Sequence, residues 1–361
     1  MEPSISFEHI LSFEKDKSIY IPEIQDDLRL YHYKKVNDTN DDFFLKQVRG
    51  IVFDSNNNLV MRGFPYTPEY IADENLKNVF TQPLTNFKVY HSQEGTIIRV
   101  FFHNKWHVST HKRLNASHSR WGGGTDYFED IFRRGVEHTF NIDYEMFFNN
   151  LDKTRQYMFL VTPTKDTRIV SCVHPLPKVF HVGTFVNNKF TMENLLQTPD
   201  PMVNNYMTEI IFTDLDQLVN YVSSLNPLYT QGVILMGESG FYKIVSKQYS
   251  MLCQVRGNQS NLELRYLQIA NNTDMRNMFC SLYPESYQSV EKKIMNVARH
   301  IHSVYIKRFV KKQFAVVLPI RYGIIKKCHS YYTTQNSPVT LQVVLRFLIS
   351  ESPEKLLRII S

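Results

Sequence analysis

Nowhere in this sequence do two cysteines stand close enough to form a Cys-x-x-Cys pair. The four present, Cys172, Cys253, Cys280 and Cys328, are scattered along the chain. Such spacing argues against a zinc site and a disulfide framework alike, and it fits reduced thiols in a cytoplasmic-type compartment. Long apolar runs are also missing. The longest stretch, "FAVVLPIRYGII", is broken by Pro319 and Arg321 and is too short to span a bilayer. The opening "MEPSISFEHILSFEKDK" is acidic and interrupted, unlike a signal peptide. There is no internal repeat and no low-complexity tract. These absences lead us to expect a soluble, cytoplasmic protein with no membrane partner.

What is present suits a folded chain. Its 361 residues leave room for two or three domains, and the 43% apolar content is enough for a substantial core. Aromatics at 13%, mostly Phe and Tyr, argue against disorder. The net charge of +6 permits a polyanionic partner without requiring one.

Residues 1 to about 45 are mixed and polar, with "KKVNDTNDD" as a loop. "VRGIVFDSNNNLVMRGFP" predicts a hairpin around the turn-forming "DSNNN". "NFKVYHSQEGTIIRVFFHNKWHVSTHK" predicts two or three strands with turns at Gln93–Gly95 and His103–Lys105. "YFEDIFRRGVEHTF" reads as a helix. "YMFLVTPTKDTRIVS" and "KVFHVGTFVNNKF" read as strands. In "DLDQLVNYVSSL", Leu215, Leu218, Val219 and Val222 share a helical face with Asp214 as N-cap. "QGVILMGESGFYKIVSKQY" predicts a hairpin turning at Gly237–Gly240. Beyond residue 255 helical periodicity takes over. From 287 to 312, Val290, Ile294, Val297, Ile301, Val304 and Tyr305 form one apolar stripe. Residues 292–327 hold ten Lys or Arg and no acid. The chain is therefore expected to divide into 1–254 and 255–361.

The order of short motifs over residues 40–250 resembles the RNA ligases of the bacteriophage RNA ligase 1 type, within the covalent nucleotidyltransferases. RNA ligase-like proteins of large DNA viruses look closest. The resemblance implies an α+β fold: a nucleotidyltransferase domain of mainly antiparallel sheets with flanking helices, followed by an all-helical, basic domain. Arg49–Gly50 matches the family's upstream Arg-Gly, whose arginine reaches nucleotide phosphates. A downstream phosphate-contacting lysine of the family falls at or near Pro68. Lys-x-Asp-Gly, the nucleophile motif, aligns on Ser92-Gln93-Glu94-Gly95. The catalytic glutamate of the third motif aligns on Phe159, the Glu-Gly of the fourth on Gln231–Gly232, and the Lys-x-Lys of the fifth on Lys243-Ile244-Val245.

Such enzymes attack the α-phosphate with a lysine amine. A serine at position 92 needs a general base, and its neighbour His91 should point to the opposite strand face. Lys88 shares parity with Ser92 but stands four residues off, about 13 Å along a strand. Lys105, beyond the next turn, is also poorly placed. Phe159 removes a charge and favours an apolar pocket. Gln231 loses the charge that a divalent cation prefers. Val245 removes positive charge where phosphates develop negative charge in the transition state. The resemblance thus implies no catalytic residue at Ser92, Phe159, Gln231 or Val245, with Arg49, Glu94, Gly95 and Lys243 as a remnant nucleotide site. Arg99, Lys112 and Arg113 lie near the same cleft.

Other features carry less. "WGGGTD" lacks the ending of a phosphate loop and reads as a hinge. His107 and His111 are too far apart on a strand to share one ion, and Cys172 and His174 have no further ligands. Lys293, His300, Lys307 and Lys311 fall opposite the apolar stripe, with Tyr305, Phe309 and Tyr322 interleaved. Lys293, Lys307 and Lys311 are the candidates for a nucleic-acid backbone surface. The leading reading is a non-catalytic RNA ligase-like protein that binds RNA, DNA or another viral or processing protein and requires no cofactor. If viral, it would reside in the host cytoplasm or the virion. The alternative is an active RNA ligase with displaced groups, needing ATP and Mg²⁺.

Overall fold

A computed structural model describes residues 5–37, 42–121, 124–165, 167–171, 174–191, 208–237 and 240–361. The chain divides into two compact units, Met1–Met251 and Leu252–Ser361. It is an α+β protein with three largely antiparallel sheets and a helical second unit.

The first sheet takes β1 (Ile19–Gln25), β2 (Leu28–Tyr33), β3 (Arg49–Phe53) and β4 (Leu59–Met61) in chain order. The β3–β4 pair is the hairpin expected around "DSNNN", and Asp54 closes it by accepting from the backbone of Asn56 and Asn58. Strands β1 and β2 were not foreseen in the polar N-terminal region. Their pattern is weak because β1 leaves Ile21 and Ile24 exposed. Helices α1 (Phe7–Lys15) and α2 (Phe43–Gln47) belong to the same region. Part of the expected "KKVNDTNDD" loop lies outside the described residues, as do the middle of "WGGGTD" and Cys172.

The third sheet orders β12 (Glu209–Ile210), β6 (Lys88–Ser92), β13 (Gly232–Gly237), β14 (Gly240–Val245) and β5 (Glu69–Ile71). Only β5 joins in parallel among the described pairings. The second sheet orders β11 (Lys189–Thr191), β10 (Val179–Val186), β9 (Arg155–Val161), β7 (Thr96–His103) and β8 (Lys105–Ser109). Strands β6 and β7 flank the Gln93–Gly95 turn, yet they belong to different sheets. The turn is a crossing point rather than the end of a hairpin.

Alternation sorts the strand residues by face. In the second sheet, Ile98, Tyr157, Phe159 and Val161 pack on α4 (Phe128–Phe140) and α5 (Tyr144–Asn149). Phe101, Met158 and Leu160 turn the other way, onto Leu28, Leu30 and Val52 of the first sheet. In the third sheet, Val89, Val233, Leu235 and Ile244 cover α3 (Leu76–Val79) and α6 (Leu215–Ser224). Helix α6 follows its sequence pattern. Asp214 caps it by accepting from Gln217 N at 2.9 Å, and Leu218 and Val222 are fully buried.

The "SKQY" after β14 begins helix α7 (Lys247–Arg256) instead of extending the strand. The second unit holds α8 (Leu262–Ile269), α9 (Thr273–Leu282), α10 (Pro284–Tyr305), α11 (Pro319–Gln335), α12 (Leu341–Ile349) and α13 (Pro353–Ile360). All six residues of the expected stripe on α10 are buried, with α11 and α12 packed against that helix.

Candidate functional site

Ser92 closes β6 and pairs with Gly232 of β13. Its hydroxyl donates to Gln231 Oε1 at 3.0 Å, and Gln231 Nε2 donates to Tyr249 OH at 2.7 Å. The backbone reinforces this chain: Gln231 N donates to Ser92 O at 3.0 Å and Thr230 Oγ1 to the same oxygen at 2.9 Å. Ser92, Gln231, Tyr249 and the neighbouring Val245 are all buried. Among the described residues, the hydrogen bonds of Ser92 and Gln231 bring no base to the serine proton. His91 faces the other side of the sheet, as its parity requires, with Nε2 3.1 Å from Tyr221 OH on α6. Burial lowers its pKa. Lys88 is exposed at the far end of β6. Tyr249 escaped sequence reasoning because "SKQY" looked like strand; its signal would have been the Ser246 cap, whose Oγ accepts from Tyr249 N.

Register places Lys243 and Val245 on the same face as Ser92. The Lys243 ammonium is engaged by Glu69 at 2.8 Å, and its backbone N–H donates to Pro68 O. That same face carries Tyr90, Met236 and Phe241, which meet Phe64 and Phe190. The three phenylalanine rings stand 5.1–5.4 Å apart, edge to face. Phe190 comes from β11, so aromatic rings bridge the second and third sheets beside the Ser92 face.

Phe159 is fully buried under α4 and α5, against Phe132 at 5.6 Å and Phe147 at 5.5 Å. It fills the core and does not line an open apolar pocket as expected, because its strand parity turns it toward the helices.

Glu94 is buried, and its carboxylate is saturated. It accepts from the backbone N–H groups of Ile169, Val170 (3.0 Å) and Ser171 (2.5 Å), and from Ser171 Oγ at 2.9 Å. Three consecutive amides aimed at one carboxylate form an anion nest, here filled by the protein's own side chain. Gly95 beside it runs against β9: a Cβ there would stand 2.4 Å from Val161 O. The Glu-Gly pair thereby fixes the crossing between sheets.

The positive charge gathers elsewhere in the first unit. Arg99 on β7 is 1% exposed and has no carboxylate partner among the described residues. Its guanidinium donates to the carbonyls of Gly50 and Thr110, while Nε has no partner. Burial, with Arg49 nearby, pulls its pKa down to about 9, so it stays charged at neutral pH. Arg49 donates to Pro65 O at 3.3 Å. Gly50 has φ +80° and sits where a Cβ would meet His111 O at 2.5 Å, so only glycine lets this backbone pass beside Arg99. Burial holds His32 down at about 4 and His111 at about 3, leaving both neutral beside these cations.

Next to this cluster runs a groove of about 570 Å³, lined by His111, Lys112, Arg113, His118 and Arg120 and by no carboxylate among the described residues. Arg113 donates to Pro22 O, and Arg120 lies over the Tyr127 ring. A second cavity of about 380 Å³ opens between β8, α4 and α5. Neither is lined by Ser92, Phe159, Gln231 or Val245. Sequence reasoning named Lys112 and Arg113 but missed His32, His118 and Arg120. Only folding brings them from β2 and the loop after β8 to one place.

In the second unit, Lys293 is held by Glu263 at 2.7 Å. Lys307 and Lys311 are exposed. Of the interleaved aromatics, Tyr305 is buried and Phe309 stacks on His329 at 4.1 Å. Tyr322 lies under Arg308 and Lys326. No group of three metal-ligating side chains gathers among the described residues. No described helix is long and apolar enough to cross a membrane.

No family model matches the chain. Among curated proteins it is similar to an immediate-early protein ICP-46 homolog of invertebrate iridescent virus 6, 28% identical over 87% of this chain and 76% of the relative. A homolog of the same description from invertebrate iridescent virus 3 is 30% identical over 73% of this chain and 60% of its own length. The immediate-early protein ICP-46 of frog virus 3 is 24% identical over half of this chain. Among solved structures it is similar to an archaeal ATP-dependent RNA ligase, at 11% identity and TM-score 0.44, covering 80% of this chain and 77% of the other.

Proposed function

We propose that this chain is a nucleotidyltransferase-type scaffold without the covalent step, and that it holds nucleic acid as a non-catalytic part of a viral nucleic-acid-processing assembly. The observation that carries the reading is the hydroxyl of Ser92, bound into a buried hydrogen-bond chain with Gln231 and Tyr249. A nucleophile needs a neighbouring base or a depressed pKa, and this network supplies neither. The core position of Phe159, the burial of Val245 and the ion pair of Lys243 support it. So does Glu94, whose lone pairs serve the backbone of Val170 and Ser171 instead of a ligand.

The nucleic-acid part rests on the groove from His111 to Arg120. Glu23 pairs with His118 at 2.8 Å, but among the described residues no carboxylate pairs with Lys112, Arg113 or Arg120, and a phosphate backbone answers that charge. The reading needs neither ATP nor Mg²⁺.

The test has two arms. Purified protein is incubated with α-labelled ATP or GTP and Mg²⁺ or Mn²⁺, then run on a denaturing gel beside an active ligase. The expected result is no labelled band; a labelled band would establish an active nucleotidyltransferase and overturn the reading. Separately, binding to single-stranded RNA and DNA is followed against salt. A double variant, Lys112→Glu with Arg120→Glu, should weaken binding at least tenfold and flatten its salt slope by about two.

A further inference from the structure

The apolar stretch "FAVVLPIRYGII" has no role in the reading above, and its structure is unusual. Helix α10 ends in a π-helical turn, Ile306–Val310. Lys312 then takes a left-handed backbone, φ +54°, and the chain runs out to Pro319, where α11 begins. Along this link Phe314 is 92% exposed, Val316 76%, Val310 61% and Leu318 53%. Clustered apolar exposure of this kind marks an interaction surface. Around it stand Lys307, Arg308, Lys311 and Lys312, all exposed, with no acid between residues 292 and 327.

We propose that residues 306–320 form a peripheral docking loop for an anionic lipid bilayer, with Phe314, Val316 and Leu318 entering the interface and the four cations resting among the headgroups. A bilayer interface is the one common surface that is acidic outside and apolar several ångströms below. Nucleic acid answers the lysines but leaves the aliphatic side chains in water, since bases stack on aromatic rings and the only exposed ring of the link is Phe314. The two helices that bracket the link fix both of its ends, so little ordering is required on docking. Each basic residue near such a surface contributes about fivefold in affinity. One short apolar contact alone gives only marginal anchoring, so stable docking needs both signals. The inference is independent of the nucleotidyltransferase reading.

The test is co-sedimentation of the full chain with vesicles of phosphatidylcholine, alone or with roughly one third phosphatidylserine. We expect partition onto the phosphatidylserine vesicles only, falling as salt rises. Phe314→Ser with Val316→Ser should reduce it at least tenfold, and Lys311→Glu with Lys312→Glu at least 25-fold. Both pairs are solvent-exposed, so thermal unfolding should match the parent, which separates lost docking from lost fold. Three outcomes would overturn the proposal: no partition, equal partition onto neutral vesicles, or full binding by the Phe314/Val316 variant. A parent chain that self-associates through this loop without binding vesicles would assign the surface to a protein contact instead, and would equally refute it.

Discussion

Glu94 separates two accounts of the Glu-Gly turn. If it were a leftover ligand group, replacing it would leave stability unchanged or improved. The structure instead makes it the acceptor for three backbone amides and one hydroxyl. Glu94→Gln keeps one oxygen and turns an NH₂ donor toward donors. At least one buried amide, Val170 or Ser171, loses its acceptor, and the remaining bonds lose their charge assistance. Hydrogen bonds to charged groups contribute about 1.5–3 kcal/mol each, and a stranded buried donor costs about 1–3 kcal/mol. The expected loss is about 3 kcal/mol for Glu94→Gln and about 4 kcal/mol for Glu94→Ala, a large part of the ordinary stability of a domain. For a unit of this size the glutamine variant should melt about 6–12 °C lower. Urea unfolding followed by circular dichroism measures the free energy, and limited proteolysis reports on the released 167–171 loop. A loss under about 1 kcal/mol with unchanged protease resistance would refute the anchoring argument.

Three further outcomes follow from the same geometry. Ser92→Lys should leave the protein unlabelled by α-labelled ATP and lower its stability by several kcal/mol, because an ammonium would enter a buried hydrogen-bond chain; label at residue 92 would show that the pocket still binds nucleotide. Gly50→Ala should cost at least about 2 kcal/mol by urea unfolding, since φ +80° and the 2.5 Å approach to His111 O both oppose a side chain; an alanine variant as stable as the parent would remove the reason given for this glycine. His32 and His181 are buried, and burial holds both near pKa 4 when folded. The unfolded chain protonates them near 6.5, so stability is full above that pH and falls as pH drops toward 4, by about 1.4 kcal/mol per histidine at pH 5.5. A flat stability profile between pH 7 and 5 would contradict it.

Local signals read well wherever one element settles its own pattern. The stripe on α10, the Asp214 cap of α6 and the β13–β14 hairpin all follow from periodicity and turn chemistry over a few residues. Strand parity alone separated His91 from Ser92 and grouped Lys243 with Val245. Parity could not say which face of a sheet is covered. Phe159 therefore read as the wall of a pocket, while α4 and α5 make it core. The β1–β2 hairpin stayed hidden because an edge strand with exposed isoleucines breaks the alternation that identifies strands.

The sequence by itself determined the α6 and α10 faces, the β3–β4 and β13–β14 hairpins, the absence of a lysine at position 92 and the acid-free basic stretch, because these depend on residue identity and short-range spacing. Only the tertiary structure decided what the charged residues do. Arg99 read as a cation near the nucleotide cleft and is buried between two carbonyls; Glu94 read as a nucleotide contact and ties down a loop 75 residues away. Such roles depend on which distant donors and acceptors meet out of water, and a hydrogen bond made across sheets leaves no period in the chain that makes it.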